Sequence, residues 1–456
     1  MAPGGHQRVG WCEWAARRYN GRVVSRAVCC IPRRVKPSVP QTIHSHRLPS
    51  GLTLVAEEMP WLESAAFALL LPAGCAYEPA DQLGLAQLVG EMAQRGAGPR
   101  DSRQFLAELE NLGASVSAAV SVAHTSLGGA MPAERLPAVL ALYADLVQRP
   151  HLPPEQLEDA RLGCLQDCRA VEDELGRKTM KTLRQRHYPE PWGRSAEGTE
   201  ATLKSIGIED VRRFFRTHYS PRGAILSVAG AIDWPRLVDD VERLFGAWDA
   251  PGPQPPAEQP PPRGYCHLAV DSAQTHIGLA VDAVPYGHGD YFLIRAAVGV
   301  LSDSMSSRLF TEVREKRGLV YAVQAVCHSL RDRGAILAYA GTTAERAQET
   351  LDVLWAEIVR LHDGITDEEL TRLKGRIKRV LIIEQESSPA RASAIALDWY
   401  YLGRVRTMEE LSAIVDGLST DAINAYLAAH RPTRCTLVTV GRSELVPPAA
   451  ALPASS

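Results

Sequence analysis

No run of about 18 apolar residues occurs in this chain, so nothing in it spans a bilayer as a helix. The densest stretches, LALYADLV and FALLLPAGCAY, are far too short. An excess of charge of one sign is missing as well. Fifty Lys+Arg face 53 Asp+Glu, a formal −3, and no basic field exists to hold a nucleic-acid backbone. Neither GxGxxG nor GxxxxGK[ST] is present, which removes the usual phosphate cradles. The nine cysteines, at 12, 29, 30, 75, 164, 168, 266, 327 and 435, lack CxxC spacing. They are too sparse, and odd in number, for a secreted disulfide framework. Cys164 and Cys168, at i and i+4, read as small buried thiols on an apolar stripe. The thirteen histidines include no H-x-x-x-H pair, and the closest two, His44 and His46, precede the first expected strand.

What is present is a long, average globular chain of 456 residues, 45% hydrophobic and 23% charged. At roughly 150 residues per domain its length suggests about three domains, but the text divides differently. Residues 1–40 carry Arg8, Arg17, Arg18, Arg22, Arg26, Arg33, Arg34 and Lys36 against one acid, Glu13. This leader reads either as a disordered or mis-assigned start or as a mitochondrial presequence. The first reading places the protein in a bacterial cytoplasm and the second in the mitochondrial matrix. Residues 250–264, APGPQPPAEQPPPRG, form an extended Pro-rich linker.

The segments on either side, 41–249 and 265–445, repeat each other. VRRFFRTHYSPRGAILSVAG closes the first and AINAYLAAHRPTRCTLVTVG the second, with His218 matching His430 and a strand ending in Gly230 or Gly441. Each is preceded by a long helical pattern, PPEQLEDARLGCLQDCRAVEDE and TDEELTRLKGRIKRVLIIEQES, opened by acids. Strand-like text opens both, GLTLVAEE and AAFALLLPAG in one, THIGLAVDAV in the other. The expectation is a duplicated α+β domain, followed by a disordered tail at 446–456.

Further segments carry a family resemblance. LPSGLTLVAEE, LPAGCAYEPADQLGLAQLVGEMAQRGAG, HYPEPWGRSAEGTEATLKSI, FFRTHYSPRGAILSVAGAID and SSRLFTEVREKRGLVYAV together span nearly all of 41–445. They resemble the pitrilysin/insulinase-type zinc metallopeptidases, most closely the mitochondrial-processing-peptidase branch. The resemblance implies two mostly antiparallel sheets packed with helices. It also implies an inverted zinc motif, H-x-x-E-H, whose histidines bind zinc and whose Glu takes a proton from the metal-bound water.

Here that helix reads Gln87-Leu88-Val89-Gly90-Glu91. Both His positions are lost, the general-base position is Gly90, and the third-ligand position falls at Asp167. Gln87, Glu91 and Asp167 are read either as an oxygen-rich remnant site for another cation or as polar residues bonding locally beside a solvated cavity. No catalytic residue and no metal are expected in this chain. Arg314 and Tyr321, within REKRGLVY, match the family's substrate-holding pair, with Arg308 and Arg317 as support. Guanidinium and phenol are donors suited to a peptide carbonyl or its oxyanion.

An intact pair beside a dismantled zinc motif resembles the non-catalytic subunit of a two-chain peptidase. The implied partners are a homologous subunit carrying H-x-x-E-H and zinc, and an extended polypeptide held partly by strand addition. A structural scaffold without proteolysis is the alternative. An independent peptidase with an altered metal is a third reading, and it must supply a base where Gly90 stands.

Overall fold

The computed structural model describes residues 41–451 and a short antiparallel pair, β1 (Arg18–Tyr19) and β2 (Arg22–Val23). The rest of the predicted leader, residues 1–40, lies outside the described residues.

From Thr42 the chain runs through β3 (Thr42–Arg47), β4 (Thr53–Glu58), β5 (Ser64–Leu71), α1 (Leu85–Ala93), α2 (Ser102–Asn111), β6 (Ser115–Val120), β7 (Thr125–Pro132), α3 (Leu136–Gln148), α4 (Leu157–Asp173), α5 (Leu175–His187), α6 (Glu200–Ser205), α7 (Ile208–His218), β8 (Ile225–Gly230) and α8 (Trp234–Phe245). After the Pro-rich segment come β9 (Tyr265–Ala269), β10 (Gln274–Ala283), α9 (Tyr291–Ser302), β11 (Val320–Ser329), β12 (Gly334–Thr343), α10 (Ala347–Leu361), α11 (Asp367–Glu384), α12 (Ser388–Leu402), α13 (Met408–Gly417), α14 (Thr420–Ala429) and β13 (Thr436–Gly441). Polar caps start many helices. Asp101 with Gln104, Thr366 with Glu369 and Thr407 with Glu410 close capping boxes on α2, α11 and α13.

The strands form a six-stranded sheet, β3-β4-β8-β5-β7-β6, and a five-stranded sheet, β11-β12-β10-β13-β9. Among the described residues only β4·β8 and β9·β13 are parallel. Strand for strand, β4-β8-β5-β7-β6 corresponds to β9-β13-β10-β12-β11, so the fold is a duplicated α+β unit with β3 added to the first copy. Local details repeat too. His218 packs at a tilt on Phe214 and His430 stacks on Tyr426, each at a helix C-terminus (centroids 4.4 and 4.2 Å apart). Gly230 and Gly441 end equivalent strands because a Cβ would lie 2.3 Å from the Ser64 carbonyl oxygen or 2.6 Å from Thr275 Oγ1. His44 and His46 lie within β3 rather than before the first strand, and they bond to Glu58 (3.2 Å) and Glu242 (2.8 Å).

The central strands of each sheet are buried on both faces, which is why β5 (SAAFALLL) reads as a continuous apolar run. Leu54, Phe67, Leu69 and Val228 point into a core with α1, α3, α7 and α8. The alternate residues Val55, Ala68, Leu70 and Ile225 pack on Ile395 and Ala396 of α12, a helix from the other half. The converse holds for the second sheet, where Leu183 of α5 packs with Ala280, Leu337, Val438 and Val440. The helices exchanged are equivalents in the repeat, since α5 follows α4 as α12 follows α11. Each of the two repeated units therefore lends one helix to the sheet of the other.

Polar contacts tie down each exchanged helix. Arg391 Nε donates to Glu57 Oε2 (2.8 Å) with both residues 2% exposed, and Ser227 Oγ donates to the Ala392 carbonyl (2.6 Å). On the other side His187 Nδ1 meets Thr436 Oγ1 at 3.0 Å.

The linker and the tail are also held. In the linker, Glu258 accepts from Trp192 Nε1 (2.6 Å) and pairs with Arg333 (3.0 Å). The disorder expected from residue 446 onward does not begin there. Gln348 bonds both the N–H and the carbonyl of Val446, and Ala451 is fully buried in the second core. Among the described residues no helix is long and apolar enough to cross a membrane.

Removing one member of a buried ion pair leaves the other charge unsolvated. Arg391→Met should therefore lower the unfolding free energy in urea by about 3–5 kcal/mol. Arg372→Met, at the exposed pair with Glu368, should change it by less than about 1 kcal/mol.

Candidate functional site

Gln87, Gly90 and Glu91 all lie on α1, whose placement is set by packing and by one buried acid. Leu85, Ala86, Leu88, Val89 and Met92 enter the first core. Glu78, 4% exposed, accepts the N–H groups of Gly84 (3.1 Å) and Ala86 (2.8 Å) at the helix N-terminus. Burial pushes its carboxyl up to about 8, against the backbone N–H groups and Arg194, which lower it. Arg194 holds the same corner by donating to the Glu78 carbonyl (2.5 Å). No periodicity in the sequence flags Glu78 or Arg194. Both lie in segments that carry the family resemblance, which marks the stretches but not the contact between them.

Gln87 and Glu91 are half-buried, and Asp167, on α4, is exposed. Glu91 and Asp167 converge on Cys164, whose thiol burial pushes up to about 12, with both carboxylates adding to the rise. Cys164 and Cys168 are buried on one face of α4 as expected. The local bonding expected of the three polar residues is not found. Among the described residues no side-chain hydrogen bond or ion pair involves Gln87, Glu91 or Asp167. Gly90 faces β6, where a Cβ would sit 3.7 Å from Val120 Cγ2 with nothing else near.

This donor set does not suit catalytic zinc. An amide and two carboxylates offer oxygen where zinc sites favour imidazole and thiolate. The nearby thiol is held protonated. Position 90 has no side chain to take a proton from a bound water. Among the described residues no three His, Cys, Asp or Glu side chains are gathered as a metal site would require.

Arg314 and Tyr321 lie on the other sheet's margin. Phe310–Glu315 is a π-turn, with the Lys316 N–H reaching the Thr311 carbonyl (2.9 Å). Such turns are rare and are frequently found at functional sites. It leaves Arg314 exposed, its guanidinium 5.0 Å above the Phe310 ring. Among the described residues no carboxylate pairs with it. Tyr321 sits in a β-bulge of edge strand β11, between the pairs Val320↔Thr342 and Ala322↔Gly341, and is 67% exposed. A bulge re-aims a side chain. No hydrogen bond joins Arg314 to Tyr321.

Arg308 and Arg317 are engaged differently. Arg308 binds Glu369 at 2.7 and 2.9 Å and the Gly364 carbonyl at 2.8 Å, while Arg317 binds Glu312 at 3.0 Å. They brace the turn.

One further feature has almost no sequence signal. β6 is one of the two edge strands of the first sheet, and five of its six residues, from SVSAAV, are exposed. Small residues with no apolar alternation are its only mark. α1 lies beside it.

A mid-helix glycine costs about 0.5–1 kcal/mol relative to alanine, and position 90 has room for a Cβ. Gly90→Ala should therefore raise the unfolding free energy in urea by about that amount.

Comparison with known proteins completes the description. The family description "Insulinase (Peptidase family M16)" matches residues 53–200, and "Peptidase M16 inactive domain" matches residues 205–377. An uncharacterized zinc protease of Bacillus subtilis (strain 168) is 26% identical over 378 residues, covering 82% of this chain and 92% of that protein. One from Rickettsia felis is 25% identical over 379 residues, with 83% and 92% covered. Among solved structures, a peptidase M16 inactive domain from Pseudomonas fluorescens superposes with a TM-score of 0.81 at 19% identity, covering 89% of this chain and 99% of that one. A protease from Helicobacter pylori gives 0.80 at 18%, with 88% and 99% covered. Both family descriptions, taken with a sheet topology that repeats strand for strand, place this chain in the insulinase-type peptidase family M16.

Proposed function

We propose that this chain is the substrate-holding, non-catalytic subunit of a two-chain zinc peptidase. The observation that carries the reading is the contrast between its two sites. The α1 position that would need a base is Gly90, whereas Arg314 and Tyr321 are exposed, without partners among the described residues, and mounted on a π-turn and a bulge. Their donors suit the carbonyl of a bound peptide and the oxyanion that forms from it. The zinc, and the base that activates its water, belong to a homologous subunit carrying H-x-x-E-H. The relatives named zinc proteases do not carry that name over to this chain, because its donor set differs from the motif.

Substrate is an extended polypeptide. The uncovered edge of β6 offers main-chain N–H and C=O groups to an added strand, which gives affinity with little dependence on sequence. An edge this open, with no Lys or Pro to blunt it, calls for a covering strand.

Mixing the chain with an H-x-x-E-H subunit should produce EDTA-sensitive cleavage of a quenched, unstructured peptide that neither chain performs alone. Arg314→Ala and Tyr321→Phe should each lower kcat/KM by about a hundredfold, the usual loss of an oxyanion donor. EDTA-sensitive cleavage by this chain alone would sink the proposal. Full activity of the mixture carrying both substitutions would leave the chain a scaffold.

A further inference from the structure

A cleft of about 510 Å³ opens beside α5, over the outer strands of the second sheet. Gln324, Val326 and His328, alternate residues of β11, form its floor with Leu337 and Tyr339 of β12. α5 and the segment at Ser195 and Glu197 form its wall. The volume suits a small ligand or a few residues of peptide.

Three cations line this cleft, and two are answered. Arg177 stands 3.9 Å from Glu174 and 3.6 Å from Glu197. Lys181 Nζ donates to the Gly198 carbonyl (3.2 Å) and lies 3.7 Å from Glu172. Arg184 is different. It is partly buried, and among the described residues its guanidinium makes neither an ion pair nor a hydrogen bond. Glu197 is the acid that acts on it most strongly, but from beyond contact.

A guanidinium cannot relieve burial by losing its proton, as an imidazole can. The neighbouring His328, held by the Tyr188 hydroxyl (2.8 Å), shows the difference. Its pKa is pushed down to about 4 by burial, then by Arg184 and His187. With His328 neutral and Arg177 and Lys181 engaged, Arg184 is the unanswered cation of a cleft that Val326 and Leu337 also line.

We infer that this cleft is a carboxylate-binding subsite, in which Arg184 takes the carboxylate of an acidic residue of an extended peptide through paired hydrogen bonds. The choice of a peptide rests on the reading of Arg314 and Tyr321 given above. β11 carries Tyr321 at one end and Val326 five residues further on, about 17 Å along a strand. One peptide can therefore reach both places. A free C-terminal carboxylate presents the same chemistry.

The test is fluorescence anisotropy of the full chain with labelled Gly/Ser peptides. One carries an internal Glu and an amidated end, one has Gln in its place, and one has Gln with a free C-terminal carboxylate. The Glu peptide should bind about tenfold tighter than its amidated Gln counterpart, as expected of one charge-assisted hydrogen-bonded pair. Arg184→Gln should abolish that preference and Arg184→Lys should retain part of it. A preference confined to the free-ended peptide would keep the subsite and assign it to a terminus.

Equal binding of all three peptides, binding of none, or a preference surviving Arg184→Gln overturns the subsite. A fall in melting temperature for Arg184→Gln as large as that for Arg391→Met also overturns it, because Arg184 would then be structural. The outcome separates from that of the proposed function. A Glu preference that depends on Arg184, together with full cleavage when Arg314 and Tyr321 are substituted, keeps the subsite and removes the function.

Discussion

A sheet buried on both faces needs helices on both sides, and neither half of this chain provides them alone. The face of each sheet turned from its own core is closed by the equivalent helix of the other half, α12 on the first and α5 on the second. The seam is apolar at Ile395, Ala396 and Leu183. It is made specific by Arg391 on Glu57, two charges that are tolerable in the interior only because they meet. Removing either helix would bare a strip of Val, Leu and Ile on a six- or five-stranded sheet, so the halves stand or fall together.

This exchange shapes what the molecule can do. Two domains joined only by a Pro-rich linker could hinge, but domains that have traded helices cannot separate without exposing both sheets. The linker is pinned as well, through Glu258 to Arg333 and Trp192. Under the reading proposed above, a long polypeptide is then enclosed by approach of a second chain rather than by opening of this one. In the proposed function the two incomplete sites follow from that geometry. Arg314 and Tyr321 sit at the margin of one sheet, β6 edges the other, and the chemistry is left to the partner.

Much of this was legible in the residues. Strand-like openings and the matched endings at His218 and His430 disclosed the duplication, and the spacing of Gln87, Gly90 and Glu91 placed them together on one helix. The exchange was not legible. KTMKTLRQRH and ARASAIALDWYYL reveal helices with a buried side, but periodicity does not say which sheet receives that side. Polar pairing escaped for the same reason. Whether Arg184 is answered and Arg308 is bound depends on carboxylates that approach only through tertiary packing. The held tail at Val446–Ala451 was hidden by its composition, since Pro and Ala are as common in disorder as against a core.

The contrast between α1 and the Arg314–Tyr321 margin separates what packing requires from what it does not. On α1 the residues facing the core, Leu85, Leu88, Val89 and Met92, carry the packing, while positions 87 and 91 are half-buried and make no hydrogen bonds with the described residues. Those positions can change without loosening the helix, and the helix persists because the core needs it. Its presence therefore says nothing about catalysis. An exposed Arg over a ring on a π-turn and an exposed Tyr at a bulge have no comparable packing role. Core needs would favour a regular helix and a regular edge strand there. The irregular backbone that holds these two side chains out to solvent is the better guide to what this chain does.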